Sequence, residues 1–100
     1  MSAYFVANYT VTNEDGYARY LDVVGESLRA HGAKVLVADY ASETAEGSPA
    51  PVTVVLRFDS REAARGWYNS SDYQAVVHHR LDNTKGFAVF CDEYNPSETS

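Results

Sequence analysis

Apolar residues follow two different periods along the chain, and the shorter period predicts four strands. Residues 4–11 alternate with the two-residue period of a strand, and both faces of that strand are mostly apolar. The run Val52–Phe58 is short and rich in β-branched residues, which is typical of a strand buried on both faces. Residues 33–41 and 87–94 have the composition of two further strands. We therefore expect a sheet of four strands.

The longer period, with apolar residues three or four positions apart, predicts helices between these strands. One helix should follow Thr12 or Asn13, and its core-facing stripe consists of Tyr17, Tyr20, Leu21, Val24 and Leu28. A second helical region begins at Asp59 or Ser60, both good N-cap residues, and the Asn-Ser-Ser at 69–71 divides it in two. Its second segment carries an inward stripe of Tyr73, Val76, Val77 and Arg80.

The predicted order is β-α-β-β-α-β, an α+β ferredoxin-like arrangement in which an antiparallel four-stranded sheet carries its helices on one face. Residues 1–100 form a single domain, with residues 95–100 as a flexible tail. The sheet face without helices is too apolar to lie in water. We therefore expect two copies of the chain to pack their sheets together as a homodimer, a dimeric α+β barrel.

Charge and composition exclude several classes of function. The net charge is −6, and no cluster of Lys and Arg is present to bind a phosphate backbone, so we expect no nucleic-acid partner. No apolar stretch approaches the roughly 20 residues needed to span a membrane. The lone Cys91 cannot form an internal disulfide, and the N-terminus does not resemble a signal peptide. These features predict a cytoplasmic protein.

The run FDSREAARGWYNSSDYQ, followed by Arg80, resembles the signature of the domain-of-unknown-function 1330 family. The matching positions are Phe58, Ser60, Ala63, Ala64, Trp67, Tyr68, Ser70, Tyr73, Gln74 and Arg80. Asp59 and Ser71 stand where that pattern usually has prolines, and Arg57 stands where members often carry an acid. The resemblance implies a dimeric α+β barrel. It implies no particular activity, because the family has no common established one.

The candidate ligand site is the place beneath the sheet where Trp67, Tyr68, Tyr73 and Arg80 are expected to converge. Asn8 and Arg57 are added as polar residues inside strands, since a polar group within a sheet needs a partner. They could form the polar end of a small-molecule cavity. An ion pair between Arg57 and Asp39 would explain the same pattern without a ligand.

The adjacent His78 and His79 suggest a metal site at first, but the inward stripe leaves both pointing sideways or outward. Zinc sites normally need three or four convergent ligands, and the sequence offers no others nearby, so we expect no metal. Asn8, Trp67 and His78 also resemble the residues of haem-degrading monooxygenases. Aligning His78 requires an insertion, however, and Trp67 is equally explained as a core residue whose indole N–H is hydrogen-bonded.

Two functional hypotheses remain. In the first, the protein binds a small organic molecule without a cofactor, and it could act as a cofactor-independent isomerase, cyclase or monooxygenase. In the second, it is a non-catalytic binding or dimerisation module whose apolar residues only form a core. A haem-degrading activity is a weaker third alternative.

Overall fold

The computed structural model describes residues 1–96, and its elements follow the predicted order. They are β1 (Ala3–Val11), α1 (Glu14–Ala30), β2 (Lys34–Asp39), β3 (Val52–Phe58), α2 (Arg61–Tyr68), α3 (Ser71–Gln74), α4 (His78–Leu81) and β4 (Thr84–Asp92). The strand order across the sheet is β2-β3-β1-β4, and every neighbouring pair is antiparallel. This confirms the ferredoxin-like α+β fold. Of the predicted tail, residues 95 and 96 follow β4, and residues 97–100 lie outside the described part of the chain.

The central strand β1 separates the two faces of the sheet by the two-residue alternation of its side chains. Ala3, Phe5, Ala7 and Tyr9 are all buried, with 0–4% of their surface exposed, and they face the helices. Leu56 and Phe58 of β3 complete the same face together with Trp67 from α2. The core therefore lies between the sheet and the helical layer.

Short polar residues begin each of the longer helices. The Asn13 side chain accepts a hydrogen bond from the Gly16 amide at 3.1 Å, and Ser60 accepts one from the Ala63 amide at 3.0 Å. Both bonds satisfy amides that have no partner within the first helical turn. The chain leaves α1 through Gly32, whose φ of 69° lies in the left-handed region that glycine adopts most easily.

The structure differs most from the predicted elements in two places. The helical segment expected over residues 71–80 is divided into α3 and α4, although Tyr73, Val77 and Arg80 are all buried as the stripe required. Strand β4 begins at Thr84, three residues before the predicted start at residue 87. Gly86 makes this extension possible, because a Cβ there would collide with the Asn8 carbonyl oxygen and with Tyr9. Backbone contact so close is compatible only with glycine.

The face of the sheet away from the helices is open and apolar. One row across all four strands consists of Val37, Val55, Val6 and Val89, which are neighbours in the pairing registers. Val89 is 44% exposed and Phe87, from the same strand, is 60% exposed. We call these five residues the open face.

Candidate functional site

A cavity of about 110 Å³ lies between α1 and the helix-facing side of the sheet. Its walls are almost entirely apolar or aromatic, and Arg80 is its one charged lining residue. The other lining residues are Phe5, Ala7, Tyr9, Tyr17, Tyr20, Leu21, Val24, Leu28, Val35, Ala38, Tyr40, Val54 and Leu56. A cavity on this scale has room for about one aromatic ring.

The cavity reaches the surface between α1 and β2. Leu21, Val35 and Tyr40 line it and are each about half exposed. A second depression of about 240 Å³ lies beside this mouth and shares Tyr17, Leu21 and Tyr40 with the cavity. A bound molecule could therefore extend from the cavity towards the surface.

Arg80 brings a buried positive charge to this apolar cavity. It lies on α4 and is only 6% exposed. Its guanidinium carbon is 5.8 Å from the ring centre of Tyr9 and 6.0 Å from those of Phe5 and Tyr20. Its Nε atom is buried and has no hydrogen-bond partner. Within residues 1–96 the two ion pairs are His31–Asp72 and Arg61–Asp92, so no carboxylate neutralises Arg80 there.

Three tyrosines, Tyr9, Tyr20 and Tyr73, lie near this charge, and their hydroxyls belong to two hydrogen-bonded pairs. The hydroxyl oxygens of Tyr9 and Tyr17 are 2.7 Å apart, and those of Tyr20 and Tyr73 are 2.8 Å apart. Burial raises the pKa of all four side chains, and the Arg80 charge opposes that increase in the pKa of Tyr9, Tyr20 and Tyr73. The tyrosines therefore stay protonated at neutral pH.

Of the predicted site residues, Arg80 lines the cavity, whereas Trp67, Tyr68 and Tyr73 lie behind it in the aromatic core. Trp67 and Tyr73 are both 0% exposed, and their ring centres are 4.0 Å apart. The indole N–H of Trp67 donates to Ser27 Oγ at 3.1 Å, as the structural interpretation of this residue required. Tyr68 packs against Phe5 and is half-buried.

Asn8 and Arg57 are not brought to the cavity. The Asn8 side chain donates to the carbonyl oxygens of Ala50 and Val52, both at 2.9 Å, and accepts from the Ala50 amide. It thereby fixes the connection between β2 and β3. Arg57 is exposed and donates to Ser2 Oγ at 2.8 and 3.0 Å instead of pairing with Asp39. Alternation along β1 and β3 places both residues on the sheet face opposite the cavity.

The residues that suggested metal or haem chemistry are also apart. His78 is exposed on α4, Trp67 is enclosed in the core, and Asn8 lies across the sheet from both. No group of three or more His, Cys, Asp or Glu side chains within residues 1–96 is placed to hold a metal ion. No helix in this part of the chain is long and apolar enough to cross a membrane.

A family described as "Domain of unknown function (DUF1330)" matches residues 2–94. The chain belongs to this family. The resemblance carried by the Trp67 region is therefore confirmed over nearly the whole chain. A comparison of this DUF1330 member with curated proteins finds no match.

Solved structures with the same fold come from proteins of different kinds. RPA0582 of Rhodopseudomonas palustris, a protein of unknown function, is similar with a TM-score of 0.78 and 14% identity, over 95% of this chain and 84% of that one. SnoaB, a cofactor-independent oxygenase from Streptomyces nogalater, has a TM-score of 0.60 and 10% identity, over 94% of each chain. The de novo designed protein Foldit4 has a TM-score of 0.60 and 12% identity, over 94% of this chain and 100% of its own. The likeness therefore shows the fold alone.

The predicted site residues did not include Tyr9, Tyr17 and Tyr20, which line the cavity. Tyr17 and Tyr20 were assigned to the core-facing stripe of α1, and that assignment is correct for their rings. A signal was nevertheless present, because each buried tyrosine hydroxyl needs a hydrogen-bond partner. Several tyrosines facing one core therefore indicate a polar cluster inside it.

Proposed function

We propose that the protein binds a small, mainly apolar organic molecule with one anionic or carbonyl oxygen in the cavity beside Arg80. The buried guanidinium is the observation that carries this proposal. A charge removed from water is costly unless it is paired, and Arg80 has neither a carboxylate partner nor a partner for its Nε atom within the described residues. A ligand oxygen would supply the missing acceptor.

The walls of the cavity define the rest of the proposed ligand. Phe5, Leu21 and Leu56 offer no hydrogen bonds, so the body of the molecule should be apolar or aromatic. The volume of about 110 Å³ favours a single ring, with any longer substituent leaving past Tyr40. Negative charge on the ligand is favoured because Arg80 keeps its positive charge at all physiological pH values.

Catalysis without a cofactor at the same site is a second proposal. The fold shared with SnoaB supports it, and a positively charged residue could stabilise an anionic intermediate there. The lining residues contain no His, Asp, Glu, Lys or Cys, and the cavity tyrosines stay protonated. General-base catalysis therefore has no obvious protein group. The absence of a general base among the lining residues favours ligand binding over catalysis. Binding without catalysis is the simplest form of the proposal.

We also propose that the protein is a homodimer formed through the open face. The row of Val37, Val55, Val6 and Val89 provides a continuous apolar surface, with Phe87 at its edge. Packing against the same surface of a second copy would remove it from water.

Thermal unfolding with benzoate and with uncharged benzene derivatives tests the binding proposal, since a ligand of the native state raises its stability. We expect benzoate to raise the melting temperature of the wild type. Ala38→Phe should abolish that shift by filling the cavity, whereas Ala45→Phe, in the exposed connection after β2, should retain it. Native mass spectrometry of the purified protein should also reveal any retained ligand. An equal benzoate shift in the wild type and Ala38→Phe would contradict the proposed location.

A further inference from the structure

The hydroxyl of Tyr73 has one acceptor for its proton. The side chain is 0% exposed, and within residues 1–96 the one oxygen in hydrogen-bond contact with it is that of Tyr20, at 2.8 Å. The neighbouring Arg80 guanidinium carries donors only. Buried hydroxyl groups are rarely left without an acceptor. Either oxygen of this pair could be the donor, and donation from Tyr73 to Tyr20 is the arrangement that gives the fully buried Tyr73 proton an acceptor.

This direction leaves the proton of Tyr20 without an acceptor from the described protein. Tyr20 lines the cavity, and its oxygen already accepts from Tyr73. Because a hydroxyl carries a single proton, that proton remains available to a molecule in the cavity. Burial raises the pKa of Tyr20, so its hydroxyl remains a donor at neutral pH.

The other tyrosine pair differs in this respect. The hydroxyl of Tyr17 interacts with that of Tyr40 as well as with that of Tyr9. Tyr40 is 48% exposed at the mouth of the cavity, so its hydroxyl can donate a hydrogen bond to water. The hydrogen-bonded hydroxyls of Tyr9, Tyr17 and Tyr40 can therefore end in a hydrogen bond to water outside the cavity. Tyr20 has no such acceptor among the described residues.

We infer that Tyr20 is a specificity-determining residue, which together with Arg80 presents two donors to one ligand oxygen. The site then selects single-ring phenolates or enolates in their ionised form. A protonated phenol or an uncharged ring places no negative charge between Arg80 and Tyr20, and it gains less from them. This inference rests on the proposed function, and it adds to it the chemical class of the ligand and the role of Tyr20.

The test uses para-nitrophenol, whose hydroxyl ionises near neutral pH and whose anion absorbs visible light. Spectrophotometric titration should show a lower pKa for the bound probe than for the free one. Nitrobenzene, which lacks the hydroxyl, serves as the uncharged counterpart, with its affinity measured by competition. In Tyr20→Phe we expect about tenfold weaker binding of the phenolate and a partial return of the probe pKa, with nitrobenzene affinity unchanged.

Three further variants test whether the effect is specific to the Tyr20 hydroxyl. Tyr94→Phe makes the same chemical change at a residue that is 75% exposed, and it should behave as the wild type. Tyr20→Phe leaves the Tyr73 hydroxyl without an acceptor, so the double variant Tyr20→Phe/Tyr73→Phe removes both groups and should show the same loss with a stable fold. Arg80→Met should lose the preference for the phenolate more completely.

The outcomes separate this inference from the proposed function. If the wild type binds both probes but Tyr20→Phe and the double variant keep its phenolate preference, Tyr20 has no such role and the ligand cavity stands. If the wild type binds neither probe, both proposals are wrong. Loss of phenolate preference in Tyr20→Phe and the double variant, with Tyr94→Phe unaffected, supports Tyr20 as the second donor.

Discussion

Replacing Arg80 by Met separates a ligand-binding arginine from a structural one. The Met side chain retains most of the buried apolar stem and removes the charge together with its donors. If Arg80 held the fold through a buried ion pair, breaking that pair would cost about 3–5 kcal/mol. Within residues 1–96 no such pair is present, and the expected cost is accordingly much smaller.

The expected change in the free energy of unfolding follows from the contacts of the Arg80 guanidinium. Its unpartnered Nε represents a desolvation penalty of about 1–3 kcal/mol, which the substitution removes. The substitution also removes contacts with three aromatic rings at 5.8–6.0 Å. These lie at the outer limit of cation–π range, where each contributes about 0.5–1 kcal/mol. The two effects nearly cancel, so we expect the free energy of unfolding to change by about 1 kcal/mol or less.

The assay is thermal unfolding with and without benzoate, supported by calorimetric titration. Without ligand, Arg80→Met should melt within about 4–8 °C of the wild type. Its affinity for benzoate should fall by about 10- to 100-fold, which corresponds to the loss of a charged hydrogen bond. Arg65→Met, at an exposed position on α2, is the matched control and should change neither quantity.

Two results would refute this reasoning. A loss of several kcal/mol in the unliganded variant would make Arg80 a structural residue. Equal benzoate-induced shifts in the variant and the wild type would show that the guanidinium does not contact the anion.

Four other predictions concern the sheet, helix α2 and the buried tyrosines. Val55→Asp should place a charge in the proposed dimer interface and weaken association by several kcal/mol. Light scattering would show the loss of the dimer. A wild type that is monomeric at micromolar concentration would contradict the proposed dimer. Gly66→Ala, in α2 with nothing within 4 Å of the new methyl group, should stabilise the protein by about 0.5–1 kcal/mol in chemical unfolding. Gly86→Ala should destabilise it, and equal effects of the two glycine substitutions would show that the close contact of β4 with β1 is relaxed. Because burial raises the pKa of Tyr9, Tyr17, Tyr20 and Tyr73, their stabilising effect is complete below the ordinary value of 10.0 and is lost as the pH rises above it. Circular dichroism and tyrosinate absorbance should therefore change together above pH 10.0, and ionisation of these tyrosines in an intact fold would contradict their burial.

Much of the fold could be predicted because each element has a local signal. The β-branched run Val52–Phe58 gave its strand with the correct bounds, and the tyrosine stripe gave the buried side of α1. Caps were located less accurately, since Asp59, Ser60, Ser70 and Ser71 are all suitable residues and only the backbone geometry selects Ser60 and Ser70. The start of β4 was missed because it depends on the contact of Gly86 with β1.

The site was less accessible from the sequence than the fold. The inward position of Arg80 follows from its spacing after Tyr73, and this part of the prediction agrees with the structure. The polarity of Asn8 and Arg57 could not indicate which face of the sheet they occupy relative to the cavity, because both faces of those strands are apolar enough to be buried. The register of β1 with β3 places them away from it.

The sequence by itself determined the order of the elements, the buried side of α1 and the inward direction of Arg80, because these depend on periodicity and local capping. The tertiary structure decided which buried groups meet. Tyr20 and Tyr73 are 53 positions apart, and their hydroxyls come within 2.8 Å only when α1 and α3 pack side by side. The unpaired Nε of Arg80 depends in the same way on which side chains surround it. Hydrogen bonds between distant segments depend on three-dimensional packing, and no local pattern in the sequence encodes them.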